Sequence, residues 1–305
     1  MTLRCYAAFA SLFIGLVVIG AVARADDAQK SIVVDGMKRT YLLHVPASIS
    51  GHVALIIAFH GHGGDGASQE RLSNMDALAD KDGFVVAYPD GVDRGWNDGR
   101  PETASKVNDL DFEAALQSDL EKAYPIDPKR VYATGFSNGA VFSNDLACTA
   151  SQRIAAVAAV SGTLPTVDAP KCRPKRPIPI MLIAGTSDPV MPYAGGEIVV
   201  AGERRGQVLS FDDTVAFWAK ADGCAPRPAT NALQPLATPD GTSVTQRTYN
   251  GCTGGSSVIA YTITGGGHTW PGGPQYLPAI LIGRASQQLD ATQTIVEFFL
   301  EHSLP

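Results

Sequence analysis

Val131-Tyr132-Ala133-Thr134-Gly135-Phe136-Ser137-Asn138-Gly139 is an apolar run that ends in Gly-x-Ser-x-Gly and opens a segment of helical period, 138–149. A nucleophilic serine needs its hydroxyl exposed on a tight strand-to-helix turn, and small residues two before and two after it permit that strained backbone. The bare pentapeptide also arises by chance in Gly-rich chains, and a Ser can simply cap a helix. The strand before it and the helix after it give this one its weight. Ser137 is therefore read as a nucleophile at the carboxyl end of a strand in an α/β sheet.

Outward from this turn, short apolar and β-branched runs alternate with segments of helical period. That is the βαβ pattern of a mostly parallel sheet covered by helices on both faces. The pattern predicts strands over 31–34, 40–45, 53–59, 84–88, 130–134, 155–160, 178–184, 243–249 and 257–264, the inner ones continuously apolar as buried parallel strands are. Helices fit at 67–81, 104–123, 138–149, 211–221 and 287–302. The stretches 222–256 and 265–286 are Gly/Pro-rich and read as irregular, and no repeat or linker divides the chain. Loops at the carboxyl ends of strands are where such folds build their sites.

With Ser137 as nucleophile, the acid and then the base are expected later in the chain. Of the six His, only His268 and His302 lie well downstream, and His302 falls three residues from the chain end. His268 follows the last apolar strand in Gly265-Gly266-Gly267-His268-Thr269-Trp270, so it is the expected base. Asp188, in Gly185-Thr186-Ser187-Asp188-Pro189 after strand 178–184, is the expected acid, with Asp212 and Asp213 as substitutes. Acyl transfer also needs backbone N–H groups for the developing oxyanion. Asn138 supplies one, and His62 in the turn His60-Gly61-His62-Gly63-Gly64 the other. Trp96 and Trp270 are candidates for an aromatic wall beside the substrate, against the alternative of ordinary core packing.

Two rival readings use the same early turn. Gly61, Gly63 and Gly66 fit the G-x-G-x-x-G spacing of a dinucleotide-binding loop, with Asp90 at the end of the next strand. His60, His62 and Asp65 are residue types that ligate zinc. Neither reading accounts for Ser137, Asp188 and His268, and the serine-hydrolase reading uses no cofactor and no metal.

Taken together, His60-Gly61 after an apolar strand, the run Tyr124–Tyr132 (YPIDPKRVY), Gly135–Gly139, Gly185–Tyr193 with Asp188, and Gly266–Gly273 (GGHTWPGG) resemble the family of extracellular polyhydroxybutyrate depolymerases and bacterial feruloyl or acetylxylan esterases. The resemblance extends from about Ser31 to Leu300. It implies an α/β-hydrolase fold in a single domain, no cofactor, and Ser137, Asp188 and His268 as the triad. It also implies an ester substrate: a feruloyl or acetyl ester on plant polysaccharide, a polyhydroxyalkanoate chain or a small aliphatic ester. In many relatives the residue after the early His-Gly is Cys or another small residue, whereas here it is His62.

The chain's 305 residues carry 24 Lys+Arg against 30 Asp+Glu, with 45% hydrophobic and 18% charged residues. This is a compact globular composition, and its acidic balance gives no electrostatic footprint for nucleic acid. Residues 1–25 have the form of a signal peptide: Arg4, an uncharged span from Cys5 to Ala23, and Ala23-Arg24-Ala25 at the cleavage site. The expectation is a domain over 26–305, secreted or periplasmic after cleavage, with no stable membrane association and a monomeric state. Losing the leader removes Arg4 and Arg24 and leaves four Cys, an even number suited to an oxidising compartment. Four Cys allow three pairings. The spacing favours Cys148 with Cys172 and Cys224 with Cys252.

Overall fold

The computed structural model describes residues 26–102, 105–200, 202–236 and 239–305. The expected signal peptide over 1–25, and the start of the helix expected at 104, lie outside the described residues. In chain order the elements are β1 (Asp26–Val34), β2 (Met37–Val45), β3 (Val53–Phe59), α1 (Gly66–Ser73), α2 (Asp76–Asp82), β4 (Val85–Pro89), α3 (Asp109–Ala123), β5 (Ile126–Phe136), α4 (Asn138–Thr149), β6 (Ala156–Val160), β7 (Ile180–Gly185), β8 (Gly196–Val200), β9 (Glu203–Val208), α5 (Phe211–Ala221), β10 (Ala229–Ala232), β11 (Ser243–Tyr249), β12 (Val258–Thr264), α6 (Ala279–Ile282) and α7 (Ala291–Leu300).

Ten of these strands form one sheet in the order β1-β2-β4-β3-β5-β6-β7-β12-β11-β10, and β8 and β9 form a separate hairpin. The centre, from β4 to β12, is parallel throughout, and the antiparallel pairs lie at the two edges. Side chains alternate between the faces of a strand, and both faces here are covered. Along β3, Val53, Leu55, Ile57 and Phe59 join the core under α3, α4 and α5, while Ala54, Ile56 and Ala58 join the core under α2 and α7. Two-sided burial is the reason the inner strands read as unbroken apolar runs. This is the α/β-hydrolase architecture in a single domain.

The segment expected as one helix over 67–81 is two helices. Asp65 caps α1 in a reciprocal capping box with Ser68, and Asn74 ends it in the left-handed conformation at φ 49°. The expected helix 287–302 begins four residues late because Asp290 takes the N-cap of α7, accepting from the Gln293 N–H. Within 222–256 the short edge strand β10 pairs with β11, and the β8–β9 hairpin was not expected at all. Cys148 pairs with Cys172 and Cys224 with Cys252, the connectivity favoured by spacing. Loops of this length are each worth about 3–4 kcal/mol in the chain-entropy description.

One half-buried carboxyl works against the fold at neutral pH. Asp145 on α4 lies near Asp168 and Asp98, and burial first, then those two charges, push its carboxyl up to about 7. The folded chain therefore holds this proton more tightly than the unfolded chain does. The resulting stability is present below about pH 4 and is lost as pH rises through 7. Asp145→Asn removes this titration. Thermal unfolding should show it stabilised relative to the parent by on the order of 1–3 kcal/mol at pH 8 and close to the parent at pH 4. An equal shift at both pH values would contradict the assignment.

Candidate active site

Ser137 sits at the junction of β5 and α4 with φ 56° and ψ −117°, a conformation L-residues rarely adopt. Its neighbours permit it. A Cβ on Gly135 would collide with the Gly139 backbone, and one on Gly139 would collide with the carbonyls of Phe59 and His60. The two glycines thus let the turn close and let α4 pack against the end of β3.

The three residues singled out along the chain meet here. His268 Nε2 lies 2.9 Å from Ser137 Oγ, and His268 Nδ1 lies 2.8 Å from Asp188 Oδ2. The other Asp188 oxygen accepts the Val190 and Met191 N–H groups, each at 2.8 Å. Asp188 is almost wholly buried, with 1% of its side chain exposed. A carboxylate so held fixes the imidazole with its proton on Nδ1 and leaves Nε2 free to accept from the serine. The substitutes stay elsewhere: Asp212 pairs with Arg247, and Asp213 bonds Ser210 at the N-cap of α5. His302 meets Ser257 near the C-terminus.

His268 is braced from several sides. Its N–H donates to the Ile282 carbonyl, its carbonyl accepts the Tyr276 hydroxyl at 3.1 Å, and the Phe136 ring lies 4.8 Å from the imidazole. Sequence reading did not single out Tyr276, since an aromatic in a Pro/Gly-rich loop carries no signal of its own.

Asn138 and His62 both border a pocket at Ser137, and among the described residues neither backbone N–H donates to a protein acceptor. The Asn138 side chain is fixed: Oδ1 accepts the Trp96 N–H at 2.7 Å, and Nδ2 donates to Asp98 Oδ2 at 2.6 Å and to the Trp96 carbonyl at 3.1 Å. Asp98 in turn binds the Arg100 guanidinium, at 2.5 Å from Nη2, and the pair is buried. His62 is exposed at its surface. Desolvation by the wall beside it, then the charges of Arg205 and Arg100, hold its imidazole below the usual range and favour the neutral form.

Both rival readings of the early turn lose their ligands to internal bonds. His60 is buried, its Nδ1–H donating to the Gly61 carbonyl at 2.7 Å and its Nε2 accepting the Gly91 N–H at 2.9 Å, so neither ring nitrogen is open to a metal. Asp65 is engaged as the cap of α1, and among the described residues no three His, Cys, Asp or Glu side chains form a metal-binding group. The amides that a dinucleotide's phosphates would need are engaged too: Gly63 donates to Arg94, Gly64 to Gly61, and Gly66 to the Asp90 carboxylate. Two carboxylates stand where the phosphates would lie.

The expectation of an aromatic wall is corrected for Trp270. Its indole is fully buried in the α7 face of the core, donates to Thr292 Oγ1 at 2.9 Å, and borders no cavity at Ser137. The chain turns inward directly after His268, and a buried indole N–H needs an acceptor. Trp96 is also fully buried, with its indole N–H on the His60 carbonyl and its ring stacked on Phe142, yet it borders the inner pocket. Two cavities open at Ser137. An outer cleft of about 590 Å³ is bordered by His268, Phe136, Leu72, Pro274, Tyr276 and Leu277. An inner pocket of about 40 Å³ is walled by Met191 and by Ile198, Val200 and Arg205 of the unexpected hairpin.

A model of the phospholipase/carboxylesterase family matches residues 42–201, a span that holds Ser137 and Asp188 and ends before His268. The chain is 36% identical over 296 residues to the putative esterase NocK of Nocardia uniformis subsp. tsuyamanensis, covering 92% of this chain and 84% of that one. It is 32% identical over 238 residues to feruloyl esterase B of Piromyces equi, covering 75% of this chain and 42% of that relative. Among solved structures, the acetyl xylan esterase from Aspergillus awamori matches with a TM-score of 0.59 over 79% of this chain and 94% of that one, at 16% identity, which is a likeness of fold.

The buried hydrogen bonds of the Asn138 side chain generate a test that is independent of chemistry. Asn138→Ala leaves Asp98 short of a donor and the Trp96 amide groups without partners, so urea unfolding should show a loss of about 2–4 kcal/mol. A loss under about 0.5 kcal/mol, the size typical of surface substitutions, would mean that this network does not hold the turn.

Proposed function

The chain belongs to the phospholipase/carboxylesterase family and is a feruloyl esterase-like ester hydrolase; on that premise we propose that it works as a serine esterase with Ser137 as nucleophile, His268 as base and Asp188 as the residue that orients the imidazole. The observation that carries this is the unbroken chain from Ser137 Oγ through His268 to Asp188, at 2.9 and 2.8 Å, built on a serine with a strained backbone.

In this reading His268 Nε2 takes the Ser137 proton as Oγ attacks the ester carbonyl. Asp188 keeps the imidazole in the right tautomer and stabilises the imidazolium that forms. The oxyanion is received by the Asn138 and His62 N–H groups, and the loss of one such donor typically costs about a hundred- to a thousand-fold in rate. His268 then protonates the departing alcohol and activates the water that frees the acyl group. The substrates are feruloyl or acetyl esters of plant polysaccharide, or polyhydroxybutyrate-type esters. The name of one relative given above, a feruloyl esterase, supports the first. Residues 26–305 form the catalytic domain, and residues 1–25 act as a cleaved leader that delivers it outside the cytoplasm. Two disulfides support an oxidising destination.

Ser137→Ala should abolish release of ferulate from methyl ferulate and of acetate from acetylated xylan, with a fall in kcat of at least about a thousandfold and an unchanged unfolding curve. Retained hydrolysis by a pure variant would remove Ser137 as nucleophile.

A further inference from the structure

The two cavities at Ser137 do not have equal access to the proton donor. His268 borders the outer cleft and not the inner pocket. Because His268 Nε2 must hand its proton to the departing alkoxide, the alcohol half of the ester lies on the side His268 borders. The acyl half is left the inner pocket, which is far the smaller of the two, about 40 against 590 Å³.

His62, Val190 and Val200 border both cavities and mark the mouth, whereas Met191, Ile198, Arg100 and Arg205 border only the inner one. The pocket is therefore apolar along its walls and cationic away from the mouth. Arg100 is committed, since Asp98 takes its Nε and Nη2 and the Arg205 carbonyl takes Nη1 at 2.6 Å. Arg205 is committed only outward. Its Nη2 pairs at 2.5 Å with Glu203, whose side chain is 69% exposed, while its Nε–H is buried and has no acceptor among the described residues. A buried donor without a partner is destabilising, the more so on a charged group. Arg205 borders the pocket, its side chain keeps 23% exposure and its ion-pair partner is itself exposed, so the guanidinium can turn to an oxygen acceptor brought by a ligand, and its edge suits a carboxylate best.

We propose that the inner pocket is the acyl site, that it takes a short acyl chain with an oxygen acceptor at its far end, a terminal carboxylate or a hydroxyl, and that Arg205 is the residue that selects it. This rests on the serine esterase reading, which fixes the side from which the alcohol departs.

The test compares kcat/KM for the 4-nitrophenyl esters of butyrate, 3-hydroxybutyrate and succinate, the last as the half-ester, on the parent, Arg205→Met and Arg205→Lys. The parent should favour at least one acceptor-bearing ester over butyrate by tenfold or more. Arg205→Met should bring that ratio to within about twofold of one, and Arg205→Lys should restore part of it for the succinate ester alone, since it keeps the charge without the fork. Preference for succinate identifies a charged acyl end and preference for 3-hydroxybutyrate a neutral one; either supports the proposal. A parent ratio near one, or a ratio that Arg205→Met leaves in place, overturns it. A parent that cleaves methyl ferulate or acetylated xylan but none of the three esters overturns this proposal alone, and one that cleaves none of the five overturns the esterase reading with it.

Discussion

The backbone of Ser137 at φ 56° and ψ −117° is the constraint on which the rest of the site depends. A residue held in a sparsely populated region costs about 1–3 kcal/mol and persists only where its surroundings over-determine it. Here they do so through contact. The Ser137 N–H is taken by the Val160 carbonyl of β6, its carbonyl accepts from Val141 in α4, and α4 closes against the end of β3 through Gly139. The turn is thus pinned to three elements at once, and the large buried core beneath it absorbs the strain.

The register of the sheet then brings the remaining groups to the same place. Phe59 pairs with Gly135, Phe136 with Val160, Val160 with Ile183, and Gly185 with Ile263. The strands β3, β5, β6, β7 and β12 therefore end level with one another. The residues just beyond those ends include His60, Ser137, Asp188 and His268. Parallel pairing turns sequence separations of 80 and 131 residues into single hydrogen bonds. Loops at the carboxyl ends of a parallel sheet are the natural seat of a site for this reason.

What could be read from the sequence follows from the same geometry. The inner strands were legible because burial on both faces leaves no polar alternation, and the elbow was legible because its sterics admit few residues at 135 and 139. Chain order and strand position carried Asp188 and His268, and spacing carried the two disulfides. The β8–β9 hairpin was not legible: β8 has only five positions with Ile198 alone buried, and Glu203-Arg204-Arg205-Gly206 has little β propensity. Its place is set by tertiary contacts, with Ile198 and Val208 packed on Val141 and Met191, and Gln207 and Val208 bridged to the loop after β6. Trp270 was misjudged because composition does not say which way an aromatic turns after a Gly-rich loop. The break at Asn74 depends on a left-handed residue that a helical period does not reveal.

This division separates two kinds of loop. The segment that carries His268 is fastened along its length: Gly267 and Gly283 pack so closely that a Cβ on Gly267 would strike the opposite backbone, Ile282 accepts the His268 N–H, Gln275 bonds the Leu277 and Gly283 carbonyls and the Ala285 N–H, and Tyr276 holds the His268 carbonyl. Such bracing fixes the imidazole before any ligand arrives, which is what electrostatic and proton-transfer catalysis require. The hairpin that walls the inner pocket stands apart from the main sheet and is held by four buried aliphatic side chains and a few backbone bonds to the loop after β6. The fold thus keeps Ser137, Asp188 and His268 beyond the strand ends of the main sheet, and walls the inner pocket with an insertion between β7 and α5.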